Sequence, residues 1–422
     1  MTITGSPADQ RMRGYLLVAI LCAVYFFSQF LRNSVGVIAP DIADELSLSP
    51  EMLGLVSSSF FLAFAALQIP VGIAIDHYGA KLTMGVLMMF TVVGCVLFSR
   101  AQGAEGLVAG RVVMGIGCAS ILMGTLTIYT RWFSPKRFTM LLGATIAVGT
   151  VGTLTATSPL AWVSDVWGWR TAFLAVGASA FVVFTVALFV VRDRPPGAVP
   201  PPREHHNLGA ALRAYPAVIK VKGVLPLFIM HFCCYAVFVT LLGLWAGPYF
   251  TDVHGLDLAG RGHALFIFAV AQIVGLFLWG PSDQLLKSFR IPIRLGGTCT
   301  VATLVLLAFS ETFPVNWVIA EFALLGLFSG FSTVLTSHGR AIFPLEMVGR
   351  GITLMNIGTM GGAFVWQGVS GVIVGWLSEG QAVREPDSYR AVFLFLAAIL
   401  TIALFFYRRA PDPALAERVK NV

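Results

Sequence analysis

Long apolar runs separated by short polar turns recur twelve times along this chain. They lie at roughly 14–40, 51–75, 82–100, 106–129, 138–162, 169–191, 223–250, 262–282, 292–311, 315–338, 348–377 and 389–407. Each is close to or above the ~20 residues that a helix needs to cross a hydrocarbon core. The pattern predicts an all-α membrane protein with twelve transmembrane helices. One polar interruption is longer than the rest. It holds the run RDRPPGAVPPPREHH, whose prolines and charges predict an extended linker. The expected organisation is a six-helix bundle over 1–192, a linker over 193–222, a second six-helix bundle over 223–409 and a tail over 410–422.

Composition excludes the soluble alternative. The chain is 57% hydrophobic and only 12% charged, against about 25% charged in soluble domains. The net charge of +7 would suit a nucleic-acid partner if it were clustered, but it follows the topology instead. Of 28 basic residues, 21 fall in the tails and loops on one side of the twelve spans and 5 on the other. The positive-inside rule then places both termini in the cytoplasm. A multi-pass protein of the bacterial inner membrane, with lipid as its surroundings and no nucleic-acid partner, is expected. The six cysteines all sit in apolar spans without metal-ligand spacing, so neither a disulfide nor a metal site is expected. No nucleotide loop or other enzyme motif is present, and no cofactor is expected.

The two halves resemble each other. Trp169-Arg170 matches Tyr389-Arg390 at the start of spans 6 and 12, and Pro40 matches Pro248 near the ends of spans 1 and 7. Phe133 matches Phe343 after spans 4 and 10. A duplicated unit puts a substrate site between the halves, near the bilayer centre.

Arg32 is the candidate for that site. It is the only charge between Gly14 and Pro40. A guanidinium at that depth is costly and does not shed its charge, so it is expected to face a wet cavity or a partner. Tyr25, Gln29 and Arg32 fall on one helical face, as the lining of a path for an anion would. Tyr129, Tyr235, Thr240, Asn356, Trp366 and Gln367 are further candidates to line the cavity, although each taken singly is better read as a helix-packing residue. Glu321 is the only acid well inside a span. The Phe133–Phe343 match sets it opposite Arg111, and proton carrier, structural ion pair and rim residue are its open readings. His231 in span 7 is the second proton-coupling candidate. Arg111 is six residues from Glu105, close enough to snorkel outward, with a structural or a coupling role.

Between spans 2 and 3 stands Gly72-Ile-Ala-Ile-Asp76-His-Tyr-Gly79-Ala-Lys81. It resembles the signature loop of the major facilitator superfamily, with His77 where a basic residue is usual. Span 4 carries Gly110-Arg111-Val-Val-Met-Gly115-Ile-Gly117, similar to the superfamily's fourth-helix pattern. The resemblance implies that fold, alternating access, and conformational gating by Gly72, Asp76, Gly79 and Lys81. Span 1, with Arg32 eight residues before Pro40, is similar to the first helix of organophosphate antiporters and anion:cation symporters. In those families this arginine binds the substrate's phosphate or carboxylate. Span 7 has no Lys or Arg, and Thr240 aligns with Arg32. One guanidinium favours a monocarboxylate or sugar acid over a phosphate dianion. Span 5 has glycines but lacks the Gly-Pro motif of drug/proton antiporters. The expectation is a monomeric, proton-coupled symporter of a small organic anion. An exporter, an anion exchanger and a membrane ligand sensor are the alternatives.

Overall fold

The computed structural model describes residues 7–195, 208–378 and 385–413. The middle of the linker, the end of the tail and the basic residues Arg203, Arg384, Arg418 and Lys420 lie outside the described residues. Among the described residues all regular structure is helical.

Ten helical stretches are long and apolar enough to cross a membrane, and the pair Pro50–Ala66 and Gln68–Tyr78, bent by 44°, makes an eleventh. The twelfth is the shorter apolar helix Met140–Thr155, which resumes at Ser158 and runs to a sharp turn at Gly168. Span 5 therefore extends past its apolar run of 138–162, with a break at Ala156–Thr157 inside that run.

Several spans are broken, and each break exposes backbone groups that something else must satisfy. Span 1 consists of Pro7–Asn33 and Val35–Leu46, with Pro40 inside the second piece. Span 7 consists of Val224–Thr240, one π-helical turn at Leu241–Trp245, and Ala246–Asp252. Spans 4 and 10 are split at Ala119–Ser120 and Gly330–Phe331. Broken helices in corresponding places of two halves are what a duplicated transporter unit shows around its site.

The duplication is visible in side-chain chemistry. Arg170 bonds the Ala101 carbonyl at 2.8 Å and pairs with Glu45, while Arg390 bonds the Ala308 carbonyl at 3.0 Å and pairs with Glu311. Trp169 donates to Glu45, and Tyr389 donates to Asp252. At the opposite face, Asp193 accepts the Lys81 backbone N–H at the start of span 3. Asp412 likewise accepts the Phe289 and Arg290 N–H groups at the start of span 9. A carboxylate on a helix N-terminus is favoured by the exposed N–H groups and the helix dipole.

Two faces can thus be named. The linker face carries the connection between the halves, and the distal face carries the turns at 47–49, 100–103 and 253–257. The halves pack on each other mainly through their distal parts. Val35–Leu46 lies against Leu241–Asp252, Pro50–Ala66 against span 11, and the end of span 5 against span 8. The linker-side pieces Pro7–Asn33 and Val224–Thr240 make far less contact. Glycine sets the distal approach. A Cβ at Gly36 would collide with the Leu242 carbonyl, and one at Gly247 would collide with the Gly36 carbonyl. Backbone-to-backbone approach of this kind is the usual route to tight helix packing in lipid.

Candidate functional site

Arg32 ends the first piece of span 1, one turn before Val35 begins the second. Its side chain is buried, and its guanidinium carbon lies 5.0 Å from the ring centroid of Phe64 on span 2. Tyr25 and Tyr235, one from each half, are within electrostatic reach, and Tyr235 stands close enough to hydrogen-bond the guanidinium. The Nε of Arg32 has no hydrogen-bond partner, and neither does Oε1 of Gln29. Among the described residues Arg32 has no carboxylate partner. Tyr25 and Gln29 pack against span 5 at Gly149, where a Cβ would strike the tyrosine ring. The predicted polar stripe therefore exists, and it borders the seam between the halves.

The C-terminal half faces it with a cavity of about 150 Å³. His231, Cys234 and Tyr235 of span 7, Ser332, Thr333, Leu335 and Thr336 of span 10, and Thr359 of span 11 line it. Tyr235 belongs to both places, as it lines the cavity and meets the field of Arg32.

Other candidates lie elsewhere. Tyr129 is fully buried within the first half, with its hydroxyl 2.9 Å from Thr145 Oγ1 and 3.8 Å from Cys22 Sγ. Trp366 donates to the Phe232 carbonyl at 3.1 Å and packs edge-on to Phe232 and Phe395, so it joins spans 7, 11 and 12. Gln367 donates to the Val239 carbonyl at 2.9 Å, and Thr240 is fully buried beside the π turn. None of these four lines the cavity. Asn356 donates across the seam to Gln68 Oε1 at 2.7 Å and so ties span 11 to span 2.

Arg111 does not snorkel. It is fully buried, with hydrogen bonds to the carbonyls of Leu31 at 2.5 Å, Ser57 at 3.2 Å and Val56 at 3.4 Å. Its carbon is 4.8 Å from the Phe60 ring centroid. The Leu31 carbonyl precedes the break in span 1, so Arg111 fills a vacancy that the break creates. Glu321 is buried in the other half, near Ser310 and Tyr249 toward the distal face, with Oε2 unpartnered. The Arg111–Glu321 ion pair and the exposed-rim reading of Glu321 are both corrected by this placement. Repeat equivalence puts two residues at matching positions of two halves, not in contact.

The chain belongs to the Major Facilitator Superfamily: the family's sequence profile matches residues 21–365. It is 25% identical to a probable sulfoacetate transporter of Cupriavidus necator over 92% of this chain and 91% of that one. It is 22% identical to a hexuronate transporter of Bacillus subtilis, with 92% of each chain covered. A membrane sensor protein of Salmonella typhimurium is 25% identical over 67% of each chain. Among solved structures, a bacterial homologue of the human lysosomal transporter Spinster, inward-facing and unoccupied, superposes with a TM-score of 0.76 at 18% identity. That match covers 97% of this chain and 100% of that one. This is a fold and a family of membrane transporters, not of enzymes.

Within this superfamily member the signature loop has a definite structure. Gly79 has φ +94°, and the place of its missing Cβ is occupied by the Asp193 carboxylate. Only glycine suits both conditions. Lys81 contributes its backbone N–H to Asp193 at 3.1 Å, and Arg131 pairs with the same carboxylate at 3.5 Å. Gly72 stands beside Met123 on span 4, and Asp76 is exposed near the end of span 2.

Sequence reasoning missed a contact that spans the halves on the distal face. Arg261, at the start of span 8, bonds the Val37 carbonyl at 2.8 Å, pairs with Asp41, and donates to Thr251 Oγ1 at 3.2 Å. Ser57 adds a bond to the Gly243 carbonyl at 3.1 Å, on the π turn. One signal was available. Basic residues are scarce on that face, and Arg170, Arg261 and Arg390 each hold a carbonyl and a carboxylate.

Proposed function

We propose that this protein is a secondary transporter of a small organic anion, with Arg32 as the anion's counter-charge. The observation that carries this reading is a buried guanidinium with an unpartnered Nε and no acid beside it, at the seam between the halves. A charge in that position is costly until an anion arrives. The related sulfoacetate, hexuronate and tartrate transporters all act on anions, which supports the reading. Closure on the distal face and splaying on the linker face form one end-state of an alternating-access cycle. With the linker face cytoplasmic in a bacterial inner membrane, as the basic residues favour, this is the inward-open state.

Proton symport is the coupling we favour. An anion entering against a negative-inside potential needs a compensating cation. Glu321, with one buried oxygen unpartnered, is the carrier to test. Glu321→Gln in proteoliposomes should abolish proton-driven uptake while leaving anion binding. Undiminished proton-driven uptake would remove Glu321 from that role. The related membrane sensor keeps a second reading open, since a sensor binds its ligand without net flux.

The deciding experiment is anion affinity in well-folded protein. Arg32→Ala should abolish it and Arg32→Lys should weaken it severely, because lysine keeps the charge but loses the planar fork that grips two oxygens. Wild-type affinity in folded Arg32→Ala would refute the reading. Uptake by proteoliposomes then separates transporter from sensor.

A further inference from the structure

Two helices of the second half carry a concentration of positive charge where they meet the linker face. Span 9 begins there at Arg290, and span 12 ends there at Tyr407. They run side by side. Arg290 donates from Nη2 to the Arg408 carbonyl at 2.7 Å, and deeper along the pair a Cβ at Gly297 would lie 2.8 Å from Leu404 Cδ2. Arg290, Arg294 and Gly297 share one face of span 9, and Leu404 and Arg408 share one face of span 12. Arg294 and Arg408 therefore stand on the two sides of one groove, with Lys287 and Arg409 flanking it.

Lys287, Arg294, Arg408 and Arg409 are exposed. Arg290 is half-buried, and its Nε is buried without a hydrogen-bond partner. Among the described residues none of these five bases makes an ion pair. The nearby acids are turned to the backbone of their own segment. Asp412 accepts from Ser288 Oγ and from the Phe289 and Arg290 N–H groups, and Asp283 accepts the Gln284 N–H. Just inside the charges the same two helices expose Ile291, Leu295, Ile402 and Phe405. The Arg408 guanidinium carbon lies 5.6 Å from the Phe405 ring centroid. Bases at the helix ends above exposed apolar side chains match the profile of a phospholipid, with its phosphate at the boundary and its chains below.

The duplication supplies a control. Asp193 meets the Lys81 N–H in the first half as Asp412 meets the Arg290 N–H in the second. Counting from those anchors sets Tyr78, Gly85, Phe189 and Val190 against Lys287, Arg294, Arg408 and Arg409. The same place on the same face is uncharged in the first half. A general bias of basic residues toward one side of the membrane therefore does not demand this cluster. Like charges gathered without an ion-paired acid repel one another, and an anion between them removes that repulsion.

We propose that the groove between spans 9 and 12 on the linker face binds an anionic phospholipid. Arg294 and Arg408 hold its phosphate, since guanidinium forks match phosphate oxygens. Its acyl chains lie along Leu295, Ile402 and Phe405. The site is separate from the seam between the halves and does not depend on the reading of Arg32.

The test is a titration of the purified full-length protein, stripped of lipid in a neutral detergent, with phosphatidylglycerol, phosphatidylcholine and glycerol 3-phosphate in turn. Melting temperature and the lipid retained after gel filtration are the readouts. Phosphatidylglycerol should be retained and should raise the melting temperature, while phosphatidylcholine should do neither. Combining Arg294→Gln with Arg408→Gln should weaken phosphatidylglycerol binding roughly ten-fold or more. Combining Arg137→Gln with Arg192→Gln removes the same charge from the linker face of the first half and should leave that binding unchanged. An equal loss in both double variants would reduce the site to diffuse attraction and overturn the proposal. A rise in melting temperature with glycerol 3-phosphate that disappears in the Arg294 and Arg408 double variant would assign the groove to a soluble anion and overturn it too. Wild-type protein that retains phosphatidylglycerol no better than phosphatidylcholine overturns it even if no variant folds.

Discussion

Two arginines are buried in the same half, against the same aromatic wall, and they are held in opposite ways. Phe60 and Phe64 stack one helical turn apart on span 2, with ring centroids 6.2 Å apart. Arg111 lies over the first and Arg32 over the second. Arg111 has three carbonyls within hydrogen-bonding distance, and its partners come from the broken span 1 and from span 2. Arg32 keeps an unpartnered Nε and has no acid beside it. Environment therefore separates structure from function where residue type does not. A fully bonded guanidinium belongs to the framework, and one with a free Nε is the candidate we propose for the ligand. The two are also linked, since Arg111 grips the carbonyl of Leu31, the residue before Arg32.

Removing Arg111 should give the largest effect. Arg111→Met leaves the Leu31 carbonyl short of its strongest donor and empties a fully buried charged network. The loss should be about 3 kcal/mol or more. Collapse of the monodisperse yield, and a large fall in melting temperature in whatever survives, are the expected results. A variant that melts like wild type and loses only binding would erase the contrast between the two arginines.

Arg32→Met should do the reverse. Anion affinity should fall by roughly 2–5 kcal/mol, some 30-fold or more. The ligand-free melting temperature should hold or rise, because an apolar side chain replaces an unpaired buried charge. Loss of the fold along with affinity would place Arg32 in the framework beside Arg111.

A third prediction concerns the distal closure that roofs both arginines. Gly36→Val drives a side chain into the Leu242 carbonyl. Overpacking of this kind costs about 1–3 kcal/mol, so the distal-closed state should lose population. A cysteine introduced at the buried Ser57 should then react with a distal-side thiol reagent roughly ten-fold faster. Unchanged labelling would mean that the glycine contact does not hold the seam.

The smallest effects are expected at the aromatic wall. A cation–π contact is worth about 0.5–2 kcal/mol. Phe64→Leu should weaken anion binding a few-fold with little change in stability, while Phe60→Leu should lower stability and spare affinity. Equal effects of the two would show that the wall is simple packing.

Much of the fold was legible in the apolar pattern, because lipid forces each crossing segment to satisfy its own backbone as a helix. Span 5 was the weak case, since its apolar run stops near 162 whereas the helix continues to the turn at Gly168. Arg32, Tyr25, Gln29, Tyr235 and His231 were legible at the site because polar residues stand out in apolar helices. Trp366, Gln367 and Tyr129 stand out equally, yet they bond within their own half. The threonines of spans 10 and 11 were overlooked for the converse reason. A hydroxyl that bonds its own helix is unremarkable in sequence, and only its neighbours make it part of a cavity lining.

The sequence by itself determined the membrane class, the twelve crossings, the duplication and the presence of one deep arginine without a like neighbour on span 7. These are local or periodic properties, and a single chain displays them. The tertiary structure decided which arginine is satisfied, which polar residues meet across the seam, and that Arg261 reaches Val37 and Asp41 from the other half. Partners more than two hundred residues apart in the chain leave no periodicity between them. Their meeting depends on how the helices pack, and whether a buried polar atom finds a partner follows from that packing alone.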